Sequence, residues 1–355
     1  MIQSRARIRV VQLIIATLLM ATGCGRDYGP GPRFGVNVHV PNNPKTYGLV
    51  SDAGIGWIRV DFNWLTFEPR QDEFDWTIWD RVVAKANEHN LMIFATVAYS
   101  PSWATDGSEW KGVPCDPSDW YDAVYQAVSR YKDSVQYWGM WNEPNLPHFW
   151  EGTRQQYIDI ILKNGAEALR AANPHAKVCA PGLAHLQHGQ RDWYLWLKEC
   201  IEQAGDQIDV VTHNVYDKQG SEFVTAKLDD SHPLSEDPVS RDRRTLAHDP
   251  TVWSDERVPS VKEVLQYTGW LGRPFWITET GLKYDYGPGV VASYYTDLLE
   301  TWFTQDKQRD WIEKIFFYDF EQDPNSDQLW GMTESDLTPR AHYWAYKYFI
   351  YNADR

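Results

Sequence analysis

Two hydrophobic periods alternate along this chain. Apolar runs of strand length, such as 57–62, 91–98 and 208–215, are separated by stretches with apolar residues at helical spacing, such as Ile78, Val82, Val83 and Ala86. That switching is the pattern of βα units feeding a parallel sheet. Strands are predicted at 34–40, 57–62, 91–98, 135–141, 176–180, 208–215, 274–278 and 315–320. Helices are predicted at 44–53, 76–90, 120–132, 155–172, 193–204, 261–271, 291–304 and 339–350, with Asn173-Pro174 stopping the fourth. Such alternation in a chain of this length predicts an α/β fold, a single (β/α)8 TIM barrel over residues 34–355.

Two segments break the rhythm. Residues 217–258 are polar, rich in Asp, Ser and Arg, and without clear period. Residues 100–118 carry Trp103 and Trp110. Both leave the C-terminal ends of predicted strands, the face on which barrel active sites are built. The longer one is expected to form a cleft wall or lid, or else a surface insertion without order of its own.

The N-terminus adds an address. Arg5, Arg7 and Arg9 precede an apolar run at 10–20, interrupted by Gln12 and Thr17. A membrane span needs ~20 residues, so this run suits the core of a secretory signal over residues 1–23. Ala21-Thr22-Gly23-Cys24 resembles the bacterial lipobox, with alanine where leucine is usual. The expectation is an exported protein with lipid on Cys24 and a tether over 24–33, held at the periplasmic or cell surface. The alternative is an ordinary cleaved signal and a secreted product. No other segment is apolar enough to span a bilayer.

Charge narrows the partners. Asp and Glu number 49 against 34 Lys and Arg, an excess that disfavours nucleic acid and anionic headgroups. Cys115, Cys179 and Cys200 fit either a Cys179–Cys200 disulfide or three free thiols. No Cys/His spacing suggests a zinc site, and no metal or organic cofactor is expected. The 19 Trp and 20 Tyr exceed what one core needs, which leaves some for stacking on sugar faces.

The candidate chemistry lies in two strings, Gly139-Met140-Trp141-Asn142-Glu143-Pro144-Asn145 and Trp276-Ile277-Thr278-Glu279-Thr280-Gly281. Each is an apolar, aromatic-rich strand ending in a carboxylate. On a barrel, Glu143 would close strand four and Glu279 strand seven, facing each other over the mouth. Paired carboxylates cleave glycosides, with retention at ~5–5.5 Å separation and inversion at ~6.5–9.5 Å. Spacing in sequence decides neither. The acid must hold a proton, which apolar neighbours such as Trp141 favour; the other carboxylate needs donors, for which Arg59 and Tyr216 are candidates. Asn142 is a candidate for binding a sugar hydroxyl. His39, His213, Trp103 and Trp276 are further candidate substrate-binding residues, each with core packing as its rival.

Asn142-Glu143-Pro144 resembles the strand-four signature of clan A of the glycoside hydrolases, and 277–281 the strand-seven segment. The resemblance continues through 57–62 with Phe67-Glu68-Pro69, through 100–104, and through Asn145, Phe149-Trp150, Tyr157 and Asn173-Pro174 as in family 39-like members. It implies that Glu143 is the general acid/base, that Glu279 is the nucleophile, that configuration is retained, and that His213 and Tyr216 match the sixth-strand histidine and tyrosine. The chain departs in carrying Phe317-Tyr318 where many relatives have tryptophan, in its long loop after strand six, and in showing no β-sandwich segment after the barrel. The expectation is therefore a monomeric retaining glycoside hydrolase acting on an oligo- or polysaccharide, endo-acting by preference. A transglycosylase on the same residues and a non-catalytic glycan-binding lipoprotein are the alternatives.

Overall fold

A computed structural model of the chain describes residues 33–39, 43–108, 110–185, 192–217, 221–229, 259–304 and 311–353. The predicted signal at 1–23, Cys24 and residues 25–32 of the tether lie outside the described residues, as does most of 217–258.

The strands β1 (Phe34–Asn37), β2 (Trp57–Asn63), β3 (Met92–Ala98), β4 (Tyr137–Met140), β5 (Lys177–His185), β6 (Val210–Val215), β7 (Phe275–Thr280) and β8 (Lys314–Phe317) form a closed barrel in chain order. Every pairing is parallel, and Phe34 opposite Ile315 closes the ring. Strands β1, β6, β7 and β8 are buried at every position, because helices cover the outer face and side chains fill the inner one. Helix starts follow local chemistry. Asp116 accepts from the Ser118 amide ahead of Pro117–Tyr131, and Ser260 with Glu263 forms a capping box for Val261–Tyr267.

The barrel floor is aromatic. Trp57, Phe94, Trp276 and Phe316, with Cys179 and Val210, fill its N-terminal end. A side chain on Gly35 would sit 2.3 Å from the Phe316 ring, so the floor needs glycine there. Polar side chains start one layer up, where Arg59 lies over the Phe94 ring at 5.8 Å.

Several elements differ from expectation for physical reasons. β5 runs on to His185, beyond 180, although Pro181 reads as a strand breaker. The barrel absorbs it with a register shift against β6 between Pro181 and Leu183 and with Gly182 at φ +63°. The helix expected at 155–172 contains a π-helical stretch, Tyr157–Lys163, which brings the Tyr157 hydroxyl to the Met140 carbonyl at 2.8 Å. The segment after β6 is not aperiodic throughout. It holds the helix Ser221–Asp229, with Val224 and Leu228 buried and Thr225 accepting from the Trp302 indole at 3.1 Å. Cys179 and Cys200 are both free and buried, in separate packing layers, so the disulfide alternative fails. No helix among the described residues is long and apolar enough to cross a membrane.

Candidate active site

The C-terminal ends of β3 and β4 carry three non-glycine residues in the left-handed region: Tyr99 (φ 68°), Trp141 (φ 76°) and Glu143 (φ 45°). Such residues cost of order 1–3 kcal/mol each and persist where their surroundings hold them. Here the Glu143 amide donates to the Gly182 carbonyl at 2.9 Å, and the Trp141 indole donates to the Phe149 carbonyl at 2.9 Å. The outcome is a carboxylate turned from the strand into the mouth, with Asn214 donating to its Oε1 at 3.0 Å.

Glu279, next to last in β7, faces the same space. Its Oε1 accepts from Arg59 Nη1 at 2.6 Å and its Oε2 from the Tyr216 hydroxyl at 2.8 Å. Arg59 is buried and fully engaged, donating also to Asn37 Oδ1 at 2.7 Å, Asn142 Oδ1 at 2.8 Å and Thr96 Oγ1 at 3.2 Å. Asn142 Oδ1 also accepts from Asn214 at 3.4 Å, so a chain of three side chains links the two carboxylates. Both line one cleft of about 550 Å³, together with Tyr216, Tyr318, Trp330 and His185.

The two carboxyls stand in opposite surroundings. Burial, and then repulsion from Glu279, push Glu143 up to about 8, against the pull of Asn214 and Arg59. Glu279 instead has a buried guanidinium and a phenol as its hydrogen-bond donors. Burial works against the charge on Arg59, yet the Glu279 and Asp61 carboxylates outweigh it and raise its pKa. A buried carboxyl that keeps its proton, beside a second one clasped by a guanidinium and a phenol, is the arrangement of an acid next to a nucleophile or base.

Arg59, Asn142 and Tyr216 thus join the two glutamates. His39 stands at the rim, pairing with Asp61 at 3.2 Å and meeting the Tyr318 ring edge-on at 5.0 Å. Burial pulls its pKa down, but Asp61 carries it to about 9. About a third of its side chain (34%) stays open to solvent. Three expected positions lie elsewhere. His213 is turned to the outer face of β6 with no exposure, its Nε2 3.0 Å from His185 Nδ1 and its ring against Trp193. Burial pushes it down to about 3, so it is a neutral supporting group behind the cleft. Trp276 belongs to the floor, its indole donating to Glu313 at 2.9 Å. Trp103 packs edge-on against Trp64 and donates to the Glu68 carbonyl at 2.9 Å, in the wall outside the cleft lining.

Sequence reasoning missed Asn214, Asn37, Tyr318 and His185. For Asn214 a signal existed: it stands two residues before Tyr216, and strand residues two apart share a face.

A family model described as Glycosyl hydrolases family 39 matches residues 69–259, just over half of the chain. A Beta-xylosidase from Geobacillus stearothermophilus is 27% identical over 189 residues, covering 48% of this chain and 36% of that protein. The chain thus spans about a third of the length of this curated relative. Among solved structures, a family 39 glycoside hydrolase from Bacteroides cellulosilyticus superposes with a TM-score of 0.68 at 17% identity, covering 90% of this chain and 64% of that one. A monomeric beta-xylosidase from Caulobacter crescentus gives a TM-score of 0.63 at 20% identity, covering 90% and 68%. At these identities the structural likeness speaks for the fold.

Proposed function

This chain belongs to glycosyl hydrolases family 39, and from that premise we propose that it is a retaining glycosidase acting on β-xyloside-type O-glycosidic bonds. The single observation that carries the reading is the unequal pair: Glu143 buried and raised, Glu279 clasped by Arg59 and Tyr216 in the same cleft. In the first step a Glu279 oxygen bonds to the anomeric carbon, the glycosidic C–O bond breaks, and the Glu143 proton goes to the departing oxygen. In the second, water attacks that carbon, Glu143 takes its proton, and the bond to Glu279 breaks. Cleft-lining aromatic groups at Tyr216, Tyr318 and Trp330 support stacking of the substrate, and the surplus of tryptophan supports endo attack as the preferred mode. Export with a lipid on Cys24, and action as a monomer, complete the reading; the first is supported by the apolar run at 10–20 and the second by the monomeric Caulobacter relative.

The test is turnover of aryl β-xylosides and xylan, with the anomer of the first-formed sugar followed by NMR. A β product is expected. An α product from a β-glycoside, or no cleavage of any glycoside in a broad panel, overturns the proposal. The size of the first soluble products from xylan separates endo from exo attack.

The pH profile has a defined sign. Glu143 must enter the first step protonated, and its carboxyl keeps its proton up to about pH 8. Turnover should therefore fall as pH rises through about 8. The Asn214 amide favours the ionised form of Glu143, so Asn214→Ala should move the alkaline limb to higher pH. A limb that stays in place or moves down contradicts the assignment of Glu143 as the acid.

A further inference from the structure

The helix Ser221–Asp229 ends close to the cleft, and one of its side chains reaches the strand that holds the tyrosine at Glu279. Lys227 Nζ donates to the Tyr216 carbonyl at 2.9 Å and pairs with Asp217 at 2.9 Å, with side-chain exposures of 10% and 6%. Tyr216 is the first residue beyond β6, where ladder hydrogen bonds no longer fix the backbone. Its hydroxyl donates to Glu279 Oε2 at 2.8 Å, while its ring meets Trp330 edge-on at 5.4 Å. The helix is a rigid base for this contact, since Val224 and Leu228 are buried and Thr225 is bonded to Trp302. A buried ion pair pays heavily in desolvation and adds little net stability, so its place at this strand end calls for another account.

We propose that Lys227 is a positioning residue: it clamps the backbone at Tyr216 and Asp217 and thereby aims the Tyr216 hydroxyl at the nucleophile. The inference rests on the reading of Glu279 as nucleophile. It gives the segment after β6 a role in the reaction itself, because a helix outside the βα repeat sets the geometry of a hydrogen bond to the attacking carboxylate. Lys227 touches neither substrate nor Glu279; it acts through Tyr216.

The experiment is a double-mutant cycle between Lys227→Met and Tyr216→Phe, with Lys227→Arg as the conservative variant and aryl β-xyloside turnover as the readout. Lys227→Met is expected to lower kcat about tenfold, the worth of a charge-assisted hydrogen bond held out of line, with KM changing by less than about threefold. Lys227→Arg should recover most of the loss, because arginine can still donate to both oxygens. In the Tyr216→Phe background the same Lys227→Met change should cost little, since the hydroxyl it aims is gone. Equal costs in both backgrounds overturn the proposal. A crystal structure of Lys227→Met, or of Lys227→Gln where the methionine variant does not fold, supplies a readout independent of activity. The Tyr216 hydroxyl should stand beyond ~3.5 Å from Glu279. An unmoved Tyr216 in hydrogen-bond contact sinks the inference. Failure of the wild type to cleave any glycoside, with Tyr216 displaced in the variant, would instead fault the functional reading alone.

Discussion

Glu279→Ala is expected to lower kcat for an aryl β-xyloside by on the order of 10⁴-fold or more, the scale on which hydrolases lose rate with their nucleophile. Without the carboxylate no glycosyl-enzyme forms, and water must attack directly in a cleft arranged for another path. The loss should exceed that of Glu143→Ala on a substrate with a good leaving group, because such a group departs with little help from an acid. A small anion separates the roles further. In Glu279→Ala, azide can occupy the vacated space beside Arg59 and attack from the nucleophile's side, giving an α-glycosyl azide from a β-glycoside. In Glu143→Ala the enzyme-bound sugar still forms on Glu279, so azide arrives from the opposite side and yields the β product. NMR of the two azides reads the assignment directly. A Glu279→Ala enzyme with more than a hundredth of wild-type rate, or exchanged azide stereochemistry, would require the roles to be redrawn.

Both carboxylates were legible in the sequence because an apolar strand ending in a glutamate is a costly pattern that core packing does not explain. The barrel was legible for a related reason, since strands buried on both faces alternate with amphipathic helices along most of the chain. What escaped was orientation within an element. β6 is buried at every position, so hydrophobicity does not reveal that Asn214 and Tyr216 face the mouth while His213 faces out. Trp276 and Glu279 lie on one strand, yet the first belongs to the floor and the second to the rim. Their heights depend on barrel stagger and on a register shift between Ile277 and Thr280, neither of which is written in local periodicity. The helix Ser221–Asp229 was hidden because it is a single short helix within a long polar segment. β5 runs past the expected end at 180 because a bulge at Pro181–Leu183 absorbs the proline's missing amide.

Arg59 carries the second large effect, and on it depends whether the site is a set of neighbours or one unit. Its guanidinium donates in four directions, to Glu279, Asn37, Asn142 and Thr96, from a position with 3% exposure. Arg59→Ala removes the cation and leaves the Glu279 carboxylate in a buried site with Tyr216 as its remaining donor. Breaking a buried pair from one side costs about 3–5 kcal/mol, so Tm should fall by on the order of 10 °C. Arg59→Lys should recover part of the stability, because an ammonium still neutralises the carboxylate. It should recover much less of kcat: a point charge with three donors does not reproduce the planar fork that orients Glu279 and Asn142 together. Arg59→Met in a Glu279→Gln background takes away both charges at once and should be milder than Arg59→Ala alone, since no uncompensated ion remains. Thermal unfolding and steady-state kinetics on these three variants decide the matter. If the lysine enzyme matches wild type in kcat, or if Arg59→Ala melts within a degree or two of it, the guanidinium is a bystander and the three-residue link between the carboxylates has no part in catalysis.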